Sequence, residues 1–374
     1  MNPSPLVWII LLSGSAYLGV LVFLWLGLRR AVPKNDSSEK LPTVAVVCAA
    51  RNEAENLPSF LEGLLAQDYP ADKLTFFVAD DRSTDATPEI LTQYARREPR
   101  LHIIRIKETI PEMTPKKYAL SQCIQQARAE IICSVDADIR VPPTWVRSMV
   151  QAFGPTTGVV AGFAGIRARN WFEALQALDF LGLMAAGAGA IQHGLTWSAS
   201  GMNLAYRRFL FAAVDGFWPV AKLLSGDDVY LIQAIGGIPG YRATFQFSPE
   251  SFVETNPQPT LKALLQQRIR WASNSRYQWR QRPGFFVFLT SAFLFNLGLL
   301  INPLLAIFSW PWWVSLLAFK ALGEGLMLFT GARIFRRKEL LKWFPLWFVF
   351  QIPYVVLTGL AGVRGRYSWK GNTA

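Results

Sequence analysis

Asp136-Ala137-Asp138 closes the apolar run Ile131-Ile132-Cys133-Ser134-Val135, so a buried strand is expected to deliver two carboxylates to its tip. Carboxylate oxygens suit a hard divalent cation such as Mg²⁺ or Mn²⁺, which commonly takes one or two protein carboxylates and completes its shell with substrate phosphates. Asp-x-Asp also occurs in ordinary surface turns, so its weight depends on the polar clusters around it. Ala49-Ala50-Arg51-Asn52-Glu53 ends one β-rich run, and Asp80-Asp81-Arg82-Ser83-Thr84-Asp85 ends another. Ser200-Gly201-Met202-Asn203 and Ser225-Gly226-Asp227-Asp228 set small residues around carboxylates, which allows close substrate approach. A carboxylate there could accept the proton of an attacking hydroxyl. Gln267, Arg270 and Trp271 stand at i, i+3 and i+4 and so share a helix face. They offer planar charged donors for a diphosphate and a flat ring for a sugar or leaving group.

Each cluster has a structural alternative. Asp80 can form an Asx turn, Asp85 and Asp227 can cap helices, and Arg270 with Trp271 can anchor at a membrane surface. Lys116 and Lys117 begin a helix, where either can reach a phosphate or remain a solvated surface lysine. Arg51 is equally open.

The elements that must carry these residues alternate. Thr43 to Ala50, Leu74 to Ala79, Leu101 to Ile106 and Ile131 onward read as strands. Between them lie helical patterns, one through Leu57, Phe60, Leu61, Leu64 and Leu65, one with Ile90, Leu91 and Tyr94, and one from Lys116 to Ala127. Such alternation implies an α/β layer with a parallel sheet, in which ligands gather at the carboxyl ends of the strands. The Ala49–Glu53, Asp80-Asp81 and Asp136–Asp138 groups would then share one rim. The Ala- and Gly-rich stretch 174–191 carries only Asp179. It reads as a helix over the active site or dipping into the bilayer interface, because a span there would put the clusters before and after it on opposite membrane faces.

The 374 residues are 51% hydrophobic and 13% aromatic, with mean hydropathy +0.22. These values point to membrane segments beside a globular part. Charge-free stretches at Leu6–Leu28, Phe285–Phe319 and Trp343–Val363 place expected spans near 6–28, 285–307, 311–332 and 343–363; a span needs roughly 20 residues. The first stretch lacks a basic n-region and runs into Arg29-Arg30 instead of a small-residue cleavage site, which favours an uncleaved anchor over a signal peptide. Arg29, Arg30 and Lys34, and later Arg333, Arg336, Arg337, Lys338 and Lys342, put the globular part in the cytoplasm by the positive-inside rule. Arg364, Arg366 and Lys370 conflict with a last span at 343–363, which is broken by Pro345 and Pro353 and can instead be re-entrant. The net charge of +12 lies largely near these boundaries, where it meets anionic head groups. Zinc-finger spacing, an RNP-like string and a free basic arm are all missing from the sequence, which argues against nucleic acid as a partner. Cys48, Cys123 and Cys133 read as reduced core residues. With only His102 and His193 in the chain, a His-based metal centre or triad is disfavoured.

Taken in order, Ala49-x-Arg51-Asn52-Glu53, Val78-Ala79-Asp80-Asp81-Arg82-Ser83-Thr84-Asp85, Asp136-Ala137-Asp138, Gly226-Asp227-Asp228 and Gln267-x-x-Arg270-Trp271 resemble the family 2 glycosyltransferases. These are the GT-A-fold inverting enzymes of the cellulose synthase, hyaluronan synthase and ceramide glucosyltransferase type. The resemblance covers roughly residues 41–282. It implies a cytoplasmic GT-A domain at 41–282, between an anchor at 1–30 and transmembrane or interfacial helices at 285–363, in the cell (inner) membrane. It implies that the first block (Ala49, Arg51, Glu53), together with Asp81 or Asp80, holds the nucleobase and ribose of a nucleotide-sugar donor. Asp136 would touch the nucleotide, with Lys116 and Asp227 beside it, and Asp138 would be the main ligand of the Mg²⁺ or Mn²⁺ on the diphosphate. Asp228 matches the last Asp of the family's Thr-Glu-Asp element, the catalytic base, although here that element reads Gly-Asp-Asp. Gln267, Arg270 and Trp271 correspond to the acceptor- and diphosphate-binding element. The expected activity is transfer of a sugar, from a UDP-sugar, to a lipid acceptor. A processive polysaccharide synthase, a membrane scaffold with a vestigial site, and a nucleotidyltransferase (for which the Gly-rich pyrophosphorylase loop is lacking) are the alternatives.

Overall fold

The computed structural model describes residues 4–33, 41–364, 368–369 and 372–373. Lys34, Arg366 and Lys370, which entered the topology expectations, lie outside the described residues. Helix α1 (Pro5–Leu28) opens with Pro5 in its first turn, where a missing N–H costs no helical bond. Strands β1 (Val44–Ala50) and β2 (Leu74–Asp81) are buried almost throughout, as continuous apolar runs require. Between them α2 (Leu57–Leu65) buries Leu57, Phe60, Leu61 and Leu64, one stripe of its surface. Helix α3 (Thr87–Ala95), β3 (Leu101–Ile106), α4 (Pro115–Gln126) and β4 (Ile131–Ser134) continue the alternation. Next come α5 (Trp145–Val150), β5 (Thr157–Gly162), β6 (Ala164–Ile166) and the long α6 (Trp171–Gln192). The α/β part ends with β7 (Leu204–Arg207), α7 (Arg208–Ala213), α8 (Asp227–Ile235), β8 (Arg242–Gln246) and β9 (Val253–Thr255). Helices α9 (Leu261–Ser273), α10 (Ser275–Gln281), α11 (Pro283–Leu305), α12 (Trp310–Ile334) and α13 (Phe344–Arg364) follow.

The main sheet has the order β3-β2-β1-β4-β7-β5-β8. It is mixed, not wholly parallel as the alternation suggested: β7 alone runs against its neighbours β4 and β5. The strand–helix alternation continues through α5 to β5, and it is at β7, after α6, that the chain re-enters the sheet from the opposite end. Leu204 sits across from Ser134. Ser200–Asn203 therefore precede β7 at the same edge at which β4 releases Asp136 and Asp138. Asn203 is fully buried, with Nδ2 donating to the Phe163 and Ser251 carbonyls (2.9 and 2.8 Å) and Oδ1 accepting from Trp145 Nε1 (2.9 Å). It holds the rim together, with both amide hydrogens and one Oδ1 lone pair taken by the protein.

The chain divides into two compact units, one of residues 31–167 and 190–256, the other of 1–30, 168–189 and 257–374. This differs from the three linear segments expected, because α6 and α9 bury their faces among the long helices. Among the described residues of the helical unit, five helices are long and apolar enough to cross a membrane, α6 among them. Within α6, 67% of the apolar window is enclosed by protein, against 22–33% in the other four. That is the surrounding of an internal helix of the bundle. Its small residues permit close approach: a Cβ on Gly189 would lie 2.2 Å from the Leu24 carbonyl oxygen of α1. Backbone at that distance cannot rotate aside. Gly189→Val is expected to cost at least about 1–3 kcal/mol by overpacking, read as a lower unfolding midpoint in detergent; an unchanged midpoint would mean that α1 and α6 do not meet there.

Lys320 and Glu324 interrupt the apolar course of α12, and both are buried. Lys320 Nζ donates to Glu324 Oε1 and Oε2 (2.6 and 2.7 Å) and to Gln351 Oε1 of α13 (2.6 Å). Tyr17 of α1 donates its hydroxyl to Glu324 Oε1 (2.7 Å). Three helices thus meet on one closed polar cluster whose three ammonium hydrogens all have acceptors.

Candidate active site

The rim begins where β1 and β2 end. Asn52 has φ +53° and Arg82 φ +54°, the left-handed conformation that turns each chain sharply off its strand. The two loops are stitched together: Asn52 N–H donates to Ser83 Oγ (3.0 Å), Thr84 N–H to Asn52 Oδ1 (2.8 Å), and Glu53 N–H to Thr87 Oγ1 (2.9 Å). Asp85 accepts the Ala54 and Thr87 N–H groups (3.1 and 3.0 Å). Desolvation acts to raise the Asp85 pKa, but the Thr87 and Ala54 donors outweigh it and hold the carboxyl below its ordinary value. Asp85 is thus a loop fastener next to the start of α3. Asp80 and Asp81 are buried; Asp80 Oδ1 accepts Ser83 N–H (3.2 Å), three residues on and so not the two-residue Asx turn considered above, and Asp81 Oδ1 pairs with Arg82 Nε (2.9 Å). Ala49 lies opposite Ala79, and Arg51 leaves the end of β1 half-buried.

Lys116 and Lys117 are not solvated lysines. Lys116 Nζ lies 2.8 Å from Asp136 Oδ1 and 3.8 Å from Asp227 Oδ2, so it bridges the cluster after β4 to the one that opens α8. Burial opposes its charge, but Asp136 and Asp227 more than offset this and push its pKa above the ordinary lysine value. Lys117 is almost wholly buried and donates to the Leu223 carbonyl, in the segment leading to Gly226. Gly226, at φ +84°, supplies the left-handed turn and is itself the N-cap of α8. Asp227 is therefore the first helical residue, not the cap.

Asp228 accepts Gly201 N–H at Oδ2 (2.7 Å) and Val229 N–H at Oδ1 (2.8 Å). A Cβ on Gly201 would come within 3.3 Å of the Asp228 Cβ, so the small residue permits this approach. Desolvation, with the Asp227 charge beside it, pushes the Asp228 carboxyl up to about 6.

Asp138 is also raised to about 6, by desolvation and then by the charges of Asp136 and Glu53. Thr255 Oγ1 donates to Asp138 Oδ2 (3.2 Å), and a polar chain of Asn256, Asn56 and Glu53 runs alongside (3.1 and 2.9 Å). Carboxylates crowded until their ionised form is disfavoured are what a divalent cation would relieve, and the oxygen donors suit Mg²⁺ or Mn²⁺. Among the described residues no three Asp, Glu, His or Cys side chains form a complete cage. A cation shared with a diphosphate does not need one. Thr255 was missed in the sequence because it lies 117 residues from Asp138. The three cysteines are buried, and burial pushes Cys123 and Cys133 to about 12, so neither is a nucleophile.

The α/β unit thus gathers Glu53, Lys116, Asp136, Asp138, Asp227 and Asp228. Gln267, Arg270 and Trp271 belong to the helical unit, on α9, whose start is capped by Thr260 Oγ1 accepting Ala263 N–H (3.2 Å). Trp271 does not present two open faces: the Arg268 guanidinium lies 4.2 Å from its ring centroid, and Phe180 packs against it at 5.9 Å.

Known proteins agree with this architecture. A mannosyltransferase from Pyrobaculum calidifontis, solved with GDP-Man and Mn²⁺, superposes with TM-score 0.58 at 23% identity, over 95% of this chain and 99% of that one. It shows the GT-A-like fold. A β-monoglucosyldiacylglycerol synthase of Synechocystis sp. is 31% identical over 166 residues, 42% of this chain and 33% of that protein. A poly-β-1,6-N-acetyl-D-glucosamine synthase of Staphylococcus aureus is 25% identical over 241 residues, 63% of this chain and 55% of that protein. The chain spans from a third to just over half the length of these two relatives. The sequence profile of glycosyl transferase family 21, which lies in the same clan as family 2, matches residues 6–374. Matched over nearly its whole length, this chain belongs to glycosyl transferase family 21.

Proposed function

We propose that this protein is a membrane-bound inverting glycosyltransferase that moves a sugar from a nucleotide-sugar, a UDP-sugar, to a lipid acceptor at the cytoplasmic face of the cell membrane. The observation that carries the reading is the charge chain from Asp138 and Asp136 through Lys116 to Asp227 and Asp228. It links a site suited to a metal-bound diphosphate with a buried carboxylate of raised pKa. Asp228 takes the proton of the acceptor hydroxyl as its oxygen attacks the anomeric carbon from the face opposite the diphosphate. The bond between the anomeric carbon and the diphosphate oxygen breaks, and the configuration inverts. Mg²⁺ or Mn²⁺ held by Asp138 and Asp136 would neutralise charge on the departing diphosphate. Lys116, paired with Asp136, is the cation of the α/β unit that meets the same charge. Glu53, with Arg51, Ala49, Asp80 and Asp81, takes the nucleoside in the α/β unit, and the family motif gives Gln267, Arg270 and Trp271 of the helical unit the acceptor and diphosphate roles.

The lipid acceptor is supported by the five long apolar helices and by the glucosyldiacylglycerol synthase relative. Arg29, Arg30 and the basic run from Arg333 to Lys342 support the cytoplasmic orientation. The polysaccharide synthase relative favours the second reading, processive polymer synthesis. Membranes incubated with a panel of labelled sugar nucleotides and then extracted with organic solvent separate the two. Label in the organic phase is expected; label in an insoluble polymer would overturn the lipid acceptor. No label in either phase and no nucleotide release would overturn the enzyme.

A further inference from the structure

Arg268 is one of the most deeply buried charges in the helical unit, with its side chain 5% exposed. Its Nη2 lies 2.9 Å from Asp179 Oδ2 on α6, and its Nε donates to the Tyr354 hydroxyl on α13 (2.8 Å). Its plane also covers Trp271 at 4.2 Å and approaches Phe180, the neighbour of Asp179, at 6.0 Å. A second fixed point lies one turn on: a Cβ on Gly362 of α13 would come within 2.6 Å of the Ala272 Cβ. The last turns of α9, which carry Gln267, Arg270 and Trp271, are therefore pinned to α6 and α13.

Burying an ion pair is a poor route to stability, since apolar residues of equal volume often pack as well. What Arg268 offers beyond packing is a planar guanidinium that lies over the Trp271 ring while its Nε donates to Tyr354 and its Nη2 pairs with Asp179, which lysine cannot reproduce. We propose that Arg268, set by Asp179 and Tyr354, is a positioning residue that fixes the Trp271 ring and the rotation of α9, and thereby the orientation in which α9 presents Arg270. The proposal rests on the reading of α9 as part of the transferase site.

The test compares Arg268→Lys, Tyr354→Phe, Arg270→Ala and Trp271→Phe in the full-length protein. Arg268→Lys keeps the charge beside Asp179 but loses the stack and the Tyr354 bond. Its kcat is expected to fall about 100-fold, the scale of a misaimed contact, with the unfolding midpoint little changed. Tyr354→Phe, which removes a single hydroxyl, is expected to lose about tenfold. In the Trp271→Phe background the Arg268→Lys loss should shrink, because both act through one ring. Arg268→Lys turning over at the wild-type rate, or losses that simply multiply, would overturn the positioning role. If Arg268→Lys fails to fold, Tyr354→Phe decides alone, and full activity there overturns the proposal. Wild-type transfer by Arg270→Ala and Trp271→Phe would instead remove α9 from the site, and the proposal with it.

Discussion

Asp228→Asn is expected to abolish sugar transfer, lowering the rate by about 10²–10⁴-fold, the contribution of a positioned general base. The substitution keeps the size of the side chain but can no longer take the acceptor's proton. Donor and metal binding, measured by nucleotide titration, should persist, because Asp136, Asp138 and Lys116 are untouched. A variant that transfers sugar at the wild-type rate would show that another group is the base. The wild-type pH profile carries the same information. Catalysis needs the ionised carboxylate, so the rate should rise with pH through about 6, the value to which burial and Asp227 push Asp228. Stability runs the other way: a carboxyl raised above its unfolded value of 3.8 stabilises the fold fully below that value and loses this as pH rises through about 6. The carboxylate proposed as the base is thus held ready at a cost to the fold, as perturbed groups at functional sites commonly are.

Lys320→Met is expected to destabilise the helical unit by about 3–5 kcal/mol, the scale of breaking a buried ion pair from one side. The cause is Glu324, which would remain buried with its charge uncompensated and only Tyr17 donating to it. Lys320→Met combined with Glu324→Gln removes both charges and should recover most of the loss, since an apolar or neutral replacement of a whole buried pair is often tolerated. Thermal unfolding in detergent micelles checks both. A single variant as stable as the wild type would mean that the pair contributes nothing to joining α1, α12 and α13.

Much of the site could be read from local sequence. The apolar runs of β1, β2 and β4 and the polar residues at their ends are short-range features, and the rim they imply is present. The helices at 6–28, 285–307, 311–332 and 343–363 followed from length and apolarity alone, the features that make a segment long and apolar enough to cross a membrane. Residue 228 was chosen over 227 by kinship with a motif, and the structure adds a physical difference between them: Asp227 faces Lys116, whereas Asp228 faces Gly201.

Periodicity and motif order describe each segment by itself, and so the chain alone determined the α/β class, the long apolar helices, the order of the polar clusters and the family resemblance. Only the tertiary structure decided the reversal of β7, which brings Gly201 to the rim, and the placing of α6 and α9 among the long helices. It also decided the partners of the charges. Lys116 met Asp136 and Asp227, Thr255 met Asp138, Arg268 met Asp179 and Tyr354, and Lys320 met Gln351 as well as Glu324. The physical reason is common to nearly all of them: a buried charge needs partners, and except for Glu324, one turn away, these come from other elements of the chain, beyond the reach of helix or strand periodicity.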